Sequence, residues 1–163
     1  MHRLLVMVCL LAALAACGFR PRASLALASD LGPVQVLTID PYSRLGQGLS
    51  TALARAGAQS ALEGQPSATL RVLSESQETR PLSVDTRAQV SEYEIRYRVQ
   101  FDLIGADGAV LVAPQPVELS RDFIYDSLAS AGSPAEQELL QAELRRDMQA
   151  AILRRLDAVL RAK

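Results

Sequence analysis

Residues 92–103 alternate between polar and apolar side chains over twelve consecutive positions. The apolar members are Tyr93, Ile95, Tyr97, Val99, Phe101 and Leu103, and the polar members are Glu92, Glu94, Arg96, Arg98, Gln100 and Asp102. Successive side chains of a strand point to opposite faces, so the pattern predicts a long β-strand with one buried and one solvated face. Such a strand is typical of an antiparallel sheet that faces water on one side.

Two strands and a helix are predicted ahead of this segment. Residues 34–39 are rich in β-branched side chains and predict a first strand. Residues 68–78 predict a second strand, because their start alternates between apolar and polar side chains. Residues 80–88, which include Pro81, are predicted to form a polar loop.

The predicted helix between these strands covers residues 43–56. Ser43 can cap its N-terminus, Gly57 suits the position after its last turn, and its apolar stripe consists of Leu45, Leu49 and Leu53. Gly46 and Gly48 lie inside this helix, and each costs about 0.8–1 kcal/mol relative to Ala. The helix therefore needs tertiary packing to be stable.

The rest of the chain predicts a hairpin and a long terminal helix. The turn contains Asp107-Gly108, and a fourth strand returns over residues 110–112 and 117–125. Pro114 and Pro116 interrupt this strand, which indicates a sheet edge or a bulge. From Ser133 to about Leu160, a helix is predicted whose apolar stripe contains Leu140, Leu144, Met148, Ala151, Ile152, Leu156 and Val159.

The predicted element order is therefore β-α-β-β-β-α. The economical packing of these elements is an α+β, two-layer sandwich: a mostly antiparallel four-stranded sheet with two helices on one face. Residues 34–163 are the right length for a single domain of this kind.

The N-terminus has the pattern of an export signal. Residues 4–16 are an unbroken apolar run, which is too short to span a bilayer and fits the core of a secretory signal peptide. The run ends in Leu-Ala-Ala-Cys-Gly, which resembles the bacterial lipobox. Residues 1–16 are thus predicted to be cleaved. Cys17 is predicted to carry an S-diacylglycerol and an N-terminal acyl group, with residues 17–33 forming the lipidated tether.

Cleavage of the signal would remove side chains that many catalytic and metal sites need. The chain has one His, His2, and its other Cys is Cys9, so both would leave with the signal. Without them there is no Ser-His-Asp triad, no Cys-His pair and no His- or Cys-ligated metal site. No cofactor other than the covalent lipid is expected. A net charge of −1 does not favour nucleic-acid binding.

Carboxylates remain as possible acid–base groups. Glu92 and Glu94 lie on one face of the alternating strand, and two carboxylates can catalyse glycoside hydrolysis. The favoured interpretation is a solvated face of alternating charge that continues through Arg96 and Arg98. A carboxylate-dependent periplasmic hydrolase stays open as an alternative.

Four segments together resemble the LptE family of outer-membrane lipopolysaccharide-assembly lipoproteins. They are the lipobox with its following residues, Cys17-Gly18-Phe19-Arg20; Glu92-Tyr93-Glu94-Ile95; Arg121-Asp122-Phe123-Ile124-Tyr125-Asp126; and the terminal helix with Ile152-Leu153-Arg154-Arg155-Leu156. The order of elements also matches, so the resemblance spans nearly the whole chain. Gly18 in place of Asp implies, by the same resemblance, sorting to the outer membrane.

The resemblance implies a non-enzymatic protein that plugs and helps assemble the LptD β-barrel and assists delivery of lipopolysaccharide to the outer leaflet. It would face the periplasm and lie within its partner barrel. The resemblance also implies direct lipopolysaccharide binding, with Arg87, Arg80 and Arg121 as candidate phosphate ligands. For these arginines the alternatives are ordinary solvated loop side chains (Arg80 and Arg87) and a structural ion pair (Arg121). A generic outer-membrane lipoprotein adaptor remains the alternative function.

Overall fold

The computed structural model describes residues 31–62, 64–84, 90–124 and 133–162. The elements in order are β1 (Pro33–Thr38), α1 (Arg44–Arg55), β2 (Gln59–Ser60), β3 (Ala68–Val84), β4 (Val90–Ile104), β5 (Val110–Ile124) and α2 (Ser133–Arg161). The predicted order β-α-β-β-β-α is confirmed, with the short strand β2 added. The predicted signal peptide and almost all of the predicted tether lie outside the described residues.

The five strands form one mixed sheet with the order β2-β1-β3-β4-β5. Strand β1 runs parallel to both of its neighbours, whereas β3, β4 and β5 pair antiparallel. The prediction of a mostly antiparallel four-stranded sheet is therefore corrected to a five-stranded mixed sheet. The helical connection between β1 and β3 allows them to pair in parallel, and a two-residue strand such as β2 is too short to produce a periodic signal.

Strand β3 is longer than the sequence predicts. It continues from Ala68 to Val84, and it pairs with β4 through Arg80 opposite Glu94 and Pro81 opposite Tyr93. Arg80 and Pro81 therefore lie in a strand, and the predicted loop over residues 80–88 is wrong at its start. Proline is tolerated on an edge strand, and among the described residues β3 has no partner on its other side at Pro81, because β1 ends beside Val72.

Strand β5 is a single strand at the opposite edge of the sheet. Residues 105–109 form the predicted hairpin, in which Gly108 has a φ of 83° and the Gly108 N–H donates to the Gly105 carbonyl at 2.9 Å. Pro116 pairs with Gln100 of β4 within β5, and its carbonyl oxygen accepts from Arg155 of α2 at 2.7 Å. The prolines thus mark an edge, as predicted, without dividing the strand.

A single hydrophobic core lies between one face of the sheet and both helices. The predicted inward residues of β4 from Ile95 to Leu103 are all buried. They pack in one cluster with the apolar stripes of the two helices, namely Leu45, Leu49 and Leu53 of α1 and Leu144, Met148, Ile152 and Leu156 of α2. The helices therefore share one face of the sheet, and the architecture is a two-layer α+β sandwich. No helix among the described residues has the length and apolar character needed to cross a membrane.

The glycines of α1 lie where the helix approaches its neighbours closely. Ser43 caps the helix, because its Oγ accepts from the Gly46 N–H at 3.3 Å. A Cβ added at Gly46 would lie 2.7 Å from Cγ2 of Thr38 on β1, and one added at Gly48 would lie 2.0 Å from Nε2 of Gln149 on α2. Because glycine has no side chain, Gly46 and Gly48 let α1 pack closely against β1 and α2. This close packing explains why two residues of poor helix propensity lie inside the helix.

The two glycines should respond differently to substitution by alanine. Gly46→Ala should destabilise the fold by about 1 kcal/mol, because the short, branched Thr38 cannot easily move and the clash outweighs the gain in helix propensity. Gly48→Ala should be neutral or stabilising by up to about 1 kcal/mol, because the flexible end of Gln149 can turn away. Urea unfolding of both variants measures the difference. Equal loss of stability in the two would contradict this account.

Candidate functional site

The face of the sheet away from the helices carries a connected row of opposite charges. The Glu94 carboxylate lies 2.5 Å from Nε of Arg80 and 3.3 Å from a guanidinium nitrogen of Arg96. Arg96 also lies 3.3 Å from Glu118, which accepts from Nε of Arg98 at 2.7 Å. Three strands thus contribute to one row in which each carboxylate contacts two arginines. The three arginines and two glutamates make this surface strongly polar and leave only one excess positive charge.

A second ion pair lies toward the other end of this face. Arg71 of β3 donates two hydrogen bonds to the Asp102 carboxylate of β4 in a bidentate ion pair. These hydrogen bonds raise the pKa of Arg71 above its ordinary value. Asp102 is 1% exposed, although the alternating pattern predicts a solvated position. A buried carboxylate needs a charged partner, and Arg71 provides it. Asp102 is therefore a structural residue.

The carboxylates proposed for hydrolytic chemistry are held as ordinary ion-pair or hydrogen-bond partners. Desolvation pushes the pKa of Glu94 upward, but the hydrogen bond from Arg80 and the charges of Arg80 and Arg96 outweigh it, so the pKa is lowered overall. Glu94 is consequently a poor proton donor at neutral pH. Glu92 accepts from the Ser83 hydroxyl at 3.0 Å. In the described part of the chain, no group of three or more His, Cys, Asp or Glu residues could hold a metal ion.

The candidate phosphate ligands do not converge on one site. Arg80 lies on the charged outer face with Glu94. Arg121 of β5 is opposite the inward-facing Ile95, and its guanidinium reaches across to Asp147 of α2 at 2.6 Å. The two arginines are thus on opposite faces of the sheet. Arg87 and Cys17 lie outside the described residues.

A partly buried polar contact joins α1 to the sheet, and no local pattern in the sequence predicts it. Glu75 of β3 accepts from the Tyr97 hydroxyl at 2.5 Å and from the Ser43 hydroxyl at 2.8 Å. Burial, followed by the hydrogen bond to Glu75, raises the pKa of Tyr97. The three residues are far apart in sequence, and each fits a local pattern, so only the tertiary structure brings them together. They border a cavity of about 530 Å³ beside β3.

The same architecture occurs in solved bacterial lipoproteins. The crystal structure of rare lipoprotein B from Shewanella oneidensis has a TM-score of 0.68 and 24% identity, over 78% of this chain and 95% of that one. The solution structure of an uncharacterized lipoprotein B from Nitrosomonas europaea has a TM-score of 0.72 and 26% identity, over 86% of this chain and 91% of that one. The fold thus places the chain in a structural class of small α+β lipoproteins.

The family follows from the sequence comparison. The family model of lipopolysaccharide-assembly LptE proteins matches residues 31–156. The chain is 26% identical to the LPS-assembly lipoprotein LptE of Photorhabdus laumondii, over 99% of this chain and 90% of that protein. It is 27% identical to the protein of the same name in Pectobacterium atrosepticum, over 95% and 85% respectively. This chain belongs to the LptE family.

Membership in the LptE family confirms the resemblance found in the sequence and shows the functional class of the protein. The protein is a non-enzymatic lipoprotein of lipopolysaccharide assembly with a role in lipopolysaccharide transport. The alternative of a carboxylate-dependent hydrolase is therefore set aside.

Replacing Tyr97 by phenylalanine tests the hydrogen bond between Tyr97 and Glu75. Tyr97→Phe should cost about 1 kcal/mol, because Glu75 loses one of its hydrogen-bond donors. The unfolded phenol ionises near pH 10, whereas the raised pKa keeps the folded phenol protonated, so this part of the stability is lost as the pH rises above about 10.

Urea unfolding at pH 7 and at alkaline pH measures both effects. The wild-type protein should lose more stability than Tyr97→Phe between the two conditions. Tyr42→Phe is the matched control, because Tyr42 is 83% exposed. An identical decline in the wild-type and Tyr97→Phe proteins would contradict the assignment.

Proposed function

We propose that this protein is the lipid-anchored plug of the LptD β-barrel. In this role it assists barrel assembly and the delivery of lipopolysaccharide to the outer leaflet. The observation that carries the proposal is the outer face of the sheet, where Arg and Glu side chains from β3, β4 and β5 form a connected row of ion pairs. The interior of an outer-membrane barrel is polar, so a plug must offer a hydrophilic surface. A row of three arginines and two glutamates offers many hydrogen-bonding groups, while its single excess positive charge creates no strong field of one sign.

The proposal includes anchoring in the outer membrane through Cys17. The signal over residues 1–16 and the Cys-Gly junction support cleavage and lipidation at this position. Family membership supports an envelope lipoprotein. The lipid would hold the domain at the inner surface of the outer membrane, next to the lumen of its partner.

The proposal further includes phosphate binding by Arg80, Arg87 and Arg121. A guanidinium can form two parallel hydrogen bonds to a phosphate, which favours arginine at such sites. Arg80 and Arg121 are 49% and 44% exposed and each already contacts a carboxylate. Binding would therefore exchange an exposed ion pair, which contributes little free energy, for a charge-assisted contact with phosphate.

Affinity purification of the full-length protein from detergent-extracted outer membranes tests the plug. The wild-type protein should retain LptD, and Arg98→Glu should retain less, because it places a like charge beside Glu118 in the proposed contact face. Arg161→Glu is the matched control, since Arg161 is also exposed and ion-paired but lies at the end of α2. Recovery of the wild-type protein only as a free monomer would contradict the proposal.

Charge reversal tests the phosphate ligands. Lipopolysaccharide binding by purified protein should fall after Arg80→Asp, Arg87→Asp or Arg121→Asp, by about tenfold where a charged contact is lost. Arg161→Asp serves as the control, and urea unfolding checks that each variant folds. Unchanged binding in all three variants would rule out this choice of residues.

A further inference from the structure

Strand β3 has a long edge without a neighbouring strand in the described structure. Strand β1 pairs with β3 only from Val34 opposite Ala68 to Thr38 opposite Val72. Beyond this point the chain leaves the sheet and enters α1, while β3 continues to Val84 with β4 as its partner. We call residues 74–82 of β3 the free edge. At about 3.3 Å per residue it is roughly 30 Å long.

Contacts of β5 show which way the backbone groups of the sheet point. The carbonyl oxygen of Pro116 accepts from Arg155, and that of Ser120 accepts from Arg121. Both carbonyls therefore point away from β4. In an antiparallel pair, residues opposite each other either both exchange hydrogen bonds or both point outward. The β4 residues opposite Pro116 and Ser120 therefore direct their backbone groups toward β3.

This alternation determines which groups of the free edge lack partners. Gln100, opposite Pro116, pairs with Ser74 on its other side, so the backbone groups of Ser74 face β4. The backbone groups of successive residues in a strand point to alternate sides. The N–H and C=O groups of Glu75, Gln77 and Thr79 therefore point away from β4. Pro81 follows in the same series, and it has no N–H to leave unpaired.

Side chains at the head of the free edge add an apolar contact. Ile39 and Tyr42, in the connection between β1 and α1, are 75% and 83% exposed. They line the cavity of about 530 Å³ together with Glu75 and Gln77 of the free edge. Tyrosine is enriched among residues that dominate binding energy at protein interfaces.

The negative charge of Glu78 indicates which side chain an added strand would carry opposite it. Within the described part of the chain, the Glu78 carboxylate makes no hydrogen bond or ion pair, although Arg96 is its opposite residue on β4. A side chain directly across from Glu78 on an added strand would be its second cross-strand neighbour besides Arg96, and an opposite charge at that position is favourable. The complementary residue is basic.

We propose that the free edge accepts an extended segment of the partner barrel as an additional strand beside β3, with a basic side chain opposite Glu78 and an apolar side chain against Ile39 and Tyr42. This inference rests on the proposed function. An extended polypeptide is the ligand that matches a row of outward N–H and C=O groups at strand spacing. The added strand would lie on the same side of β3 as β1, beginning where β1 ends at Thr38.

Proline at Gln77 tests the backbone contact in the full-length protein purified with LptD. Gln77→Pro removes one outward N–H and leaves the bonds between β3 and β4 intact, whereas Gln77→Ala keeps that N–H. Retained LptD should fall about tenfold for Gln77→Pro and remain near the wild-type level for Gln77→Ala. Glu78→Arg should also lower retention, and Glu78→Gln should lower it less.

Hydrogen exchange of the wild-type complex supplies a measurement that does not depend on the folding of a variant. Amides of Glu75, Gln77 and Thr79 should exchange more slowly in the complex than in the isolated protein. Unaltered exchange at these amides, or full retention of LptD by folded Gln77→Pro, would overturn the edge proposal. Protection that appears at high concentration of the isolated protein would overturn it too, because the occupant would then be a second copy. Absence of LptD from the wild-type preparation would instead contradict the proposed function.

Discussion

The two faces of β4 impose the layout of the domain. Every second residue from Ile95 to Leu103 is buried, so one face of the central antiparallel strands must be covered by apolar surface from elsewhere in the chain. Helices α1 and α2 supply that surface, and both must lie on the same side because the opposite face carries the charged side chains. Shifting β4 by one residue would exchange the two faces, and the register is therefore strongly specified.

Close contacts then fix the first helix on this sheet. Gly46 and Gly48 allow α1 to approach β1 and α2, and the Ser43–Glu75–Tyr97 contact joins its N-terminus to β3 and β4. Helix α1 begins at this contact. The part of β3 that continues past Glu75 toward Val84 is therefore not covered by α1. The cavity and the free edge are consequences of where β1 ends and α1 begins.

The charged face has an organisation suited to an interface. Glu94, Arg96 and Glu118 share contacts that link three strands, so each ion of this row contacts an opposite charge. Exposed ion pairs contribute little to stability, and this row is therefore poorly explained as a stabilising device. It is better explained as a polar surface that stays compatible with a polar environment. The proposed barrel lumen is such an environment, and the free edge of β3 would contribute directional backbone contacts beside it.

The amino-acid sequence alone predicts the family, the element order and the inward side of β4. These features depend on local periodicity, capping residues and order along the chain, which neighbouring residues encode directly. It also placed Arg98 and Glu94 on one face, because a strand has a period of two. The extension of β3 through Pro81, by contrast, was decided by pairing with β4, which outweighs the local turn preference of proline.

Which distant residues meet depends on how the strands and helices pack in three dimensions. This packing separates Arg80 from Arg121 onto opposite faces, although the family resemblance implies phosphate binding for both, because the strands carry them at positions of opposite orientation. It paired Asp102 with Arg71 and buried it at a position where alternation predicts solvent. The parallel pairing of β1 likewise depends on the path of α1 through space, and no periodic pattern in the sequence records that path.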